Sequence, residues 1–332
     1  MNNFKKIGLT ALAASLVSVS ANAGAISVSG GASMNASGYT GEGQNRGATF
    51  TMGNQLTFSG SGELDNGLNV SVSFILDQGD NDNADTTAAE GAAPFDSHSI
   101  TVSSDTLGSL KLMGEGGAST ASAISGTAAG NLWDTFDQMT ANAVSIPDLS
   151  QTASPGDDSF MYTSPELMEG LTATLSFEPQ NSGTESGTGY GINYTGVEGL
   201  SLAFAEADVV GADTDTSGTN TQMDISYAYG PVTVSYSNGD HDEGLASGAN
   251  DVEMTSYAIT YTVSDELSVT YGQEESDIGN LAVDAEISAI SFAYTAGGMT
   301  LSGKMTEGEN LDYTTDTAAD LDAWTLGASF AF

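Results

Sequence analysis

The last ten residues of the chain, 323–332, constrain the fold more than any other stretch. The apolar residues at alternate positions fall on one face of an extended strand: Trp324, Leu326, Ala328, Phe330 and Phe332. The other face carries only small residues, because side chains alternate with period two along a strand. A strand with lipid on one side and water on the other has this pattern. The stretch therefore predicts a closing strand of a transmembrane β-barrel.

The N-terminus indicates the route to the membrane. Lys5 and Lys6 precede an apolar run of thirteen residues, Ile7 to Val19, which is too short to span a bilayer. Ala21-Asn22-Ala23 is a small-residue cleavage pattern. We expect residues 1–23 to be a signal peptide and 24–332 to form the mature barrel, the alternative being an N-terminal anchor helix.

The charge of the mature chain is strongly negative. Only Arg46, Lys111 and Lys304 are basic after the signal, against 44 acidic residues. Such a surface repels nucleic acid and attracts cations, and it suits a salty environment. The chain has no cysteine, which excludes disulfides and thiol chemistry.

Short alternating segments recur from the signal to the end of the chain. They predict an all-β fold of sixteen antiparallel strands, near 25–39, 48–63, 68–77, 97–105, 109–116, 158–164, 171–178, 188–196, 200–209, 220–229, 232–238, 252–263, 267–275, 284–295, 299–306 and 321–332. Seven connections are tight turns and eight are longer, polar loops. This alternation predicts an up-and-down barrel with both termini at the short-turn end.

The predicted outward faces carry tyrosine close to several short turns. Aliphatic or aromatic residues precede the tyrosines in Ile192/Tyr194, Ile225/Tyr227, Ile259/Tyr261 and Phe292/Tyr294. Tyrosine favours the membrane interface, so these pairs indicate an aromatic girdle rather than the core of a soluble β-sandwich. Strand one instead has small outward residues, which predict either a subunit interface or an ordinary glycine-rich strand.

One hairpin and the end of the chain resemble a known family. Tyr162-Thr-Ser-Pro165 is followed by Glu169-Gly170 and a new strand, and the chain ends on Phe332. Over the whole mature chain the sequence resembles the Gram-negative general diffusion porins, most closely the acidic porins of alphaproteobacteria. It departs from them in having very few basic residues for the pore wall.

The resemblance implies a trimeric, 16-stranded pore in the outer membrane of a Gram-negative bacterium, with a long third loop folded inward. It also implies that the outer-membrane insertion machinery reads the C-terminal strand. The insertion signal would then comprise Phe332, Phe330 and Trp324.

The longest predicted loop, 117–156, is the candidate constriction loop, here called loop three. Trp133, Phe136 and Met139 share a helix-like face that we expect to pack on the barrel wall. The candidate pore-lining carboxylates lie in or beside this loop: Glu115, Asp134, Asp137, Asp148, Asp157 and Asp158. A mobile external loop is the alternative.

Strand parity places two lysines. Lys111 and Lys304 alternate with outward leucines, so both should face the pore, where they would oppose the acidic loop. A lysine facing lipid would cost about 2–4 kcal/mol at mid-bilayer. Arg46, in the predicted first loop, would join them near the mouth. Since carboxylates greatly outnumber these groups, we expect cation selectivity.

The second loop is dense in aspartate and raises the question of calcium. Asp77, Asp80, Asp82 and Asp85 resemble a calcium loop loosely but lack the EF-hand glycine and closing glutamate. A solvated acidic loop is the main interpretation, and a Ca²⁺ site the alternative. We expect no other cofactor.

No pattern indicates an enzyme. The chain has two histidines, of which His98 should point outward and His241 should lie in a solvated acidic loop. The main rival of another class is a secreted, acidic, Ca²⁺-binding β-rich adhesin or surface-layer protein. Its outward face would have no need of tyrosine pairs or a terminal phenylalanine.

Overall fold

The barrel wall closes between the first and last strands. The computed structural model describes residues 26–41, 44–77, 95–124, 126–136, 158–179, 186–209, 218–242, 244, 251–279, 281–315 and 320–332, with backbone alone at 44–47 and 209. The Gly30 N–H donates to the Phe332 carbonyl (2.8 Å), and the Phe332 N–H donates to the Gly30 carbonyl (3.0 Å). This pairing satisfies backbone groups that would otherwise be unpaired in lipid.

The described residues form sixteen antiparallel strands, each paired with its sequence neighbours and the first with the last. The strands are β1 Ser27–Gly41, β2 Gln44–Glu63, β3 Asn69–Asp77, β4 Ser97–Ser104, β5 Gly108–Glu115, β6 Ser159–Thr163, β7 Leu171–Glu178, β8 Gly187–Tyr194, β9 Leu200–Val209, β10 Gly218–Tyr229, β11 Val232–Asp242, β12 Val252–Thr262, β13 Leu267–Ile278, β14 Ala285–Ala296, β15 Met299–Glu309 and β16 Leu321–Ala331. In the same part of the chain, no helix is long and apolar enough to cross a membrane.

The predicted strands and turns are confirmed, and the differences lie at the loop ends. β2 begins at Gln44 rather than near 48, and β11 continues to Asp242 rather than ending near 238. The first connection is therefore only residues 42–43, not a long loop, and His241 lies in a strand opposite Asn220. These added residues are polar on both faces, so they lack the alternation that predicts a strand, although their backbones pair.

The outer face is apolar and carries the predicted girdle. Tyr227, Tyr261 and Tyr294, near the short turns, are 46%, 50% and 39% exposed. Trp324 also lies on this face, at the opposite end, with its indole ring over Gly38 of β1. Aromatic side chains at both edges of an apolar band mark the two membrane interfaces.

Above this band the outer face becomes acidic. Glu286 of β14 lies between Glu275 of β13 and Glu309 of β15 in register, and all three share the outward face of Tyr271 and Ile290. Carboxylates directly opposite one another repel. Such a row belongs in water, so it marks the end of the lipid-facing band on the long-loop side.

The inner face of β11 to β14 is built largely from small residues. One cross-strand row passes from Ser237 of β11 through Ser256 of β12 to Glu274 of β13. The neighbouring row passes through Ser235, Ala258, Gly272 and Ala289. Small side chains leave space against the wall for another segment of the chain.

Candidate functional site: a loop bound inside the barrel

Loop three occupies the space that the small residues leave. Its described part, 117–124 and 126–136, contains two short 3₁₀ helices, Ser122–Ile124 and Leu132–Thr135. It contacts the inner wall from β7 to β15. The predicted constriction loop is thus inside the barrel over these residues, and the alternative of an external loop is wrong for them.

The loop first binds β7 and β9 through Thr120. The Thr120 N–H donates to Ser176 Oγ (3.1 Å), and the Thr120 hydroxyl donates to the Glu206 carbonyl (2.9 Å). Gly189 of β8 lies between these partners, and a Cβ there would collide with the Thr120 hydroxyl. Glycine at 189 therefore lets the loop approach the wall.

The middle of the loop binds two serines of the inner row. The Ala128 N–H donates to Ser237 Oγ (2.8 Å), and the Ala129 N–H donates to Ser256 Oγ (2.9 Å). A Cβ on Gly272 would stand 2.6 Å from the Ala129 methyl group. The serine row supplies acceptors for loop backbone that would otherwise be buried without partners.

Glu274 completes the row and binds the start of the second short helix. Its carboxylate accepts from the Thr127 hydroxyl and from the N–H groups of Leu132 and Trp133, the last at 3.3 Å. The side chain is fully buried. A buried carboxylate is stable only with donors around it, and N–H groups at a helix start are left free by the helix itself. The N–H groups at the helix start are the donors that the Glu274 carboxylate requires, and the carboxylate is the acceptor that they lack.

Beyond Glu274 the loop packs through apolar contacts. Leu132, Trp133 and Phe136 are buried in one cluster with Ile287 of β14. Gly308 of β15 gives Phe136 its space, since a Cβ there would lie 3.0 Å from the ring. The expected packing of Trp133 and Phe136 on the wall is confirmed, and Met139 lies outside the described residues.

The loop between β15 and β16 covers this cluster. Leu311 and Tyr313 are buried in it, and the Tyr313 hydroxyl donates to Ser276 Oγ (2.9 Å). Burial raises the pKa of the Tyr313 hydroxyl, so it stays protonated and keeps this hydrogen bond. Two loops are thus joined on the inner wall of β13 and β14.

The two lysines face the lumen but have different surroundings. Lys304 lies opposite Ser291 and Thr325, is partly buried, and interacts electrostatically with Asp134 and Glu274. Lys111 lies on β5 opposite Thr101 and is exposed. Both lysines lie at inward register positions of their strands, and Lys304 is beside the loop rather than across the pore from it.

Comparison with known proteins identifies the family to which the chain belongs. A family model described as Gram-negative porin matches residues 8–312. The chain belongs to the Gram-negative porin family. The resemblance predicted from the sequence is confirmed, and with it a non-enzymatic channel of the outer membrane. Among curated protein sequences, none matches the chain.

Solved porins have the same fold at low sequence identity. The anion-selective porin from Comamonas acidovorans is 14% identical, with a TM-score of 0.64 over 93% of this chain and 99% of that one. A mutant of the Rh. blastica porin is 17% identical (TM-score 0.62), and a loop deletion mutant of OmpT from Vibrio cholerae is 15% identical (TM-score 0.63). Each covers 93% of this chain and 100% of the other. These likenesses confirm the closed 16-stranded porin fold.

Glu115 and Arg46 differ in placement from the expectation. A register shift at Gly114 pairs Glu115 with His98, which stacks on Phe74 of the outer face, and Glu115 Oε2 is 3.8 Å from His98 Nδ1. The prediction for Glu115 is wrong because a β-bulge changes parity. Arg46 lies in β2 opposite Tyr39, not in a loop.

The remaining predicted residues are only partly covered. Asp158 is exposed directly before β6, with a left-handed φ of 68°, and its N–H donates to the Gly114 carbonyl (3.3 Å). Asp137, Asp148 and Asp157 lie outside the described residues, as do Asp80, Asp82 and Asp85.

Asp77 is exposed at the end of β3. Over the described ranges, no group of three or more histidine, cysteine or acidic side chains is arranged to hold a metal. The calcium site stays a prediction.

Sequence reasoning missed Glu274 as the residue that binds the loop. A signal was present, because Glu274 and Glu275 are consecutive in one strand and must face opposite sides. Glu275 shares the outward parity of Tyr271, which leaves Glu274 in the lumen. Only the structure shows that the loop and not the solvent binds this carboxylate.

We predict that Glu274→Ala loosens loop three. The substitution leaves the buried N–H groups of Leu132 and Trp133 without an acceptor, which costs about 1–3 kcal/mol each where water does not replace it. Single-channel recordings should show greater open-channel noise and a changed conductance. Glu275→Ala is the matched control, since it removes the same side chain from the outer face, and it should behave as the unsubstituted protein. Equal recordings from both variants would contradict the role of Glu274.

Proposed function

We propose that this outer-membrane diffusion channel prefers cations among the small hydrophilic solutes and ions that pass it. The observation that supports the preference is the position of Lys304. Lys304 interacts electrostatically with both Asp134 of loop three and Glu274 of the wall. The positive charge at the loop is therefore matched or exceeded by carboxylates, and passing ions meet a neutral or negative constriction.

The rest of the charge distribution also supports a preference for cations. Lys111 is the other basic side chain of the described lumen, and the mature sequence has 44 acidic residues. The Comamonas porin is anion-selective by its description. Selectivity follows from the charges that line a particular pore, and a shared fold at 14% identity does not transfer it.

The preference is measured by the reversal potential of the purified protein in a planar bilayer under a KCl gradient. We expect a reversal potential whose sign indicates preference for potassium over chloride. Asp134→Asn should reduce the potential, and Lys304→Met should increase it, because they remove opposite charges from one place. Asp322→Asn, on the outer face beside Glu307, should leave it unchanged. A reversal potential of anionic sign in the unsubstituted protein would contradict the proposal.

We also propose how the chain reaches the membrane. The lysines and the apolar run of residues 1–23 support export with cleavage after Ala23. The outward aromatic face of β16, with Trp324, Phe330 and Phe332, supports its recognition by the outer-membrane insertion machinery. The start of the mature chain near Gly24 lies outside the described residues, and Phe332 pairs with Gly30 of β1.

A trimer that buries the outer face of β1 to β5 is the proposed assembly. β4 and β5 have eight residues each, which at a tilt of about 45° span about 19 Å, less than an apolar band of about 25 Å. The same face carries the polar Asn54 and the His98–Glu115 pair, which suit protein better than lipid. The small residues of β1 allow close contact between subunits.

We predict that Ala36→Trp, in the outward face of β1, shifts the protein from oligomer to monomer. A large side chain in a close interface costs about 1–3 kcal/mol. Native mass spectrometry in mild detergent measures the distribution. Ile259→Trp, on the outward face of β12, is the control and should keep the oligomer. An unchanged oligomer in both variants would place the interface elsewhere.

A further inference from the structure

A cavity with several polar side chains lies in the lumen beside the start of the loop segment that binds Ser237 and Ser256. It has a volume of about 320 Å³ and lies between Gly126–Ala128 of loop three and the inner faces of β9, β10 and β11. Cavities that hold small ligands begin at about this size. It is therefore large enough for a solute of about one sugar ring.

Two cross-strand rows build the wall of this cavity. Ser201, Ser226 and Ser235 lie directly opposite one another on β9, β10 and β11. In the next row, Asp224 lies between Ala203 and Ser237. One carboxylate thus stands beside three adjacent hydroxyl groups, all lining one cavity.

Asp224 is the carboxylate of this row that receives no hydrogen bond from the described part of loop three, 117–124 and 126–136. Ser237 and Glu274 bind loop N–H groups, whereas Asp224 Oδ1 accepts a hydrogen bond from the Gln222 side-chain amide (3.0 Å). Among the residues that the structure describes, none that lines the cavity is a lysine or an arginine. The carboxylate therefore keeps acceptor capacity for a positively charged ligand.

We propose that this cavity is a subsite for a small protonated amine that carries hydroxyl groups, up to the size of an amino sugar. The ammonium group binds Asp224, and the ligand hydroxyls exchange hydrogen bonds with Ser201, Ser226 and Ser235. Serine hydroxyls both donate and accept, so they match sugar-like hydroxyls in either role. The proposal deepens the proposed function and rests on it in one respect, namely that cations enter the lumen.

The subsite should bind weakly and reversibly. It is formed by one charged group and neutral hydroxyls at the edge of an open lumen, and hydrogen bonds to charged groups contribute more than neutral ones. A channel passes a solute only if the solute can leave as well as enter. Binding should therefore appear as brief interruptions of the ion current.

The test uses glucosamine hydrochloride as the probe and single-channel recording of the whole protein. We expect concentration-dependent interruptions in the unsubstituted channel, and a rise of about tenfold in the half-blocking concentration for Asp224→Asn. The Asp322→Asn channel lacks only an outer-face charge. Glucosamine should block it at the same concentrations as it blocks the unsubstituted channel. Glucose, which lacks the ammonium group, should interrupt the current much less in all three.

Equal block of the unsubstituted channel and Asp224→Asn by glucosamine would overturn the subsite, as would equal block by glucose and glucosamine in the unsubstituted channel. The reversal potential in KCl, recorded without probe on the same preparations, separates this result from the proposed function. A cation-selective channel without Asp224-dependent block refutes the subsite alone, and an anion-selective channel refutes the proposed selectivity.

Discussion

The hydrogen bonds between the backbone of loop three and one row of inner-wall side chains hold the described part of the loop inside the barrel. A loop buried against a wall must find acceptors for its N–H groups, since water no longer reaches them. Ser237, Ser256 and Glu274 supply those acceptors on three adjacent strands. The apolar cluster around Phe136 then fixes the far end of the loop. Without this row, these backbone N–H groups of loop three would lose the acceptors that bind them to the wall.

The two faces of the barrel wall meet opposite requirements, although the same hydrogen-bonded strands form both. The outer face must be bulky and apolar to contact lipid, whereas the inner face must be small where the loop lies. Gly272 and Tyr271 illustrate this as neighbours, one making room for Ala129 and the other 51% exposed on the outer face. Alternation with period two allows both requirements in one strand. The same alternation separates Glu274, which binds the loop, from Glu275, which faces outward.

The sequence predicts the strands, their closure and the inward direction of Lys304, because each depends on periodicity. It fails where a local irregularity changes parity, as at Glu115, whose bulge is invisible in a pattern of alternating residues. It also fails where polar residues extend a strand, as at Arg46, since pairing of backbones needs no apolar signal. The partner of Glu274 could not be predicted, because a contact between residues about 140 positions apart is fixed by the barrel's curvature and not by local chemistry.

The inward position of loop three is tested most directly by cross-linking it to the wall. The protein has no cysteine, so a double variant Ala128→Cys/Ser237→Cys contains a single possible disulfide. The Ala128 nitrogen and Ser237 Oγ are 2.8 Å apart, which brings the two Cα atoms within the usual range for a disulfide. We predict that mild oxidation closes this bond without a loss of single-channel conductance, while Ala128→Cys/Tyr236→Cys, with the second thiol on the outer face, stays reduced. Free thiols in the first variant, or a conductance that falls when its bond forms, would contradict the account.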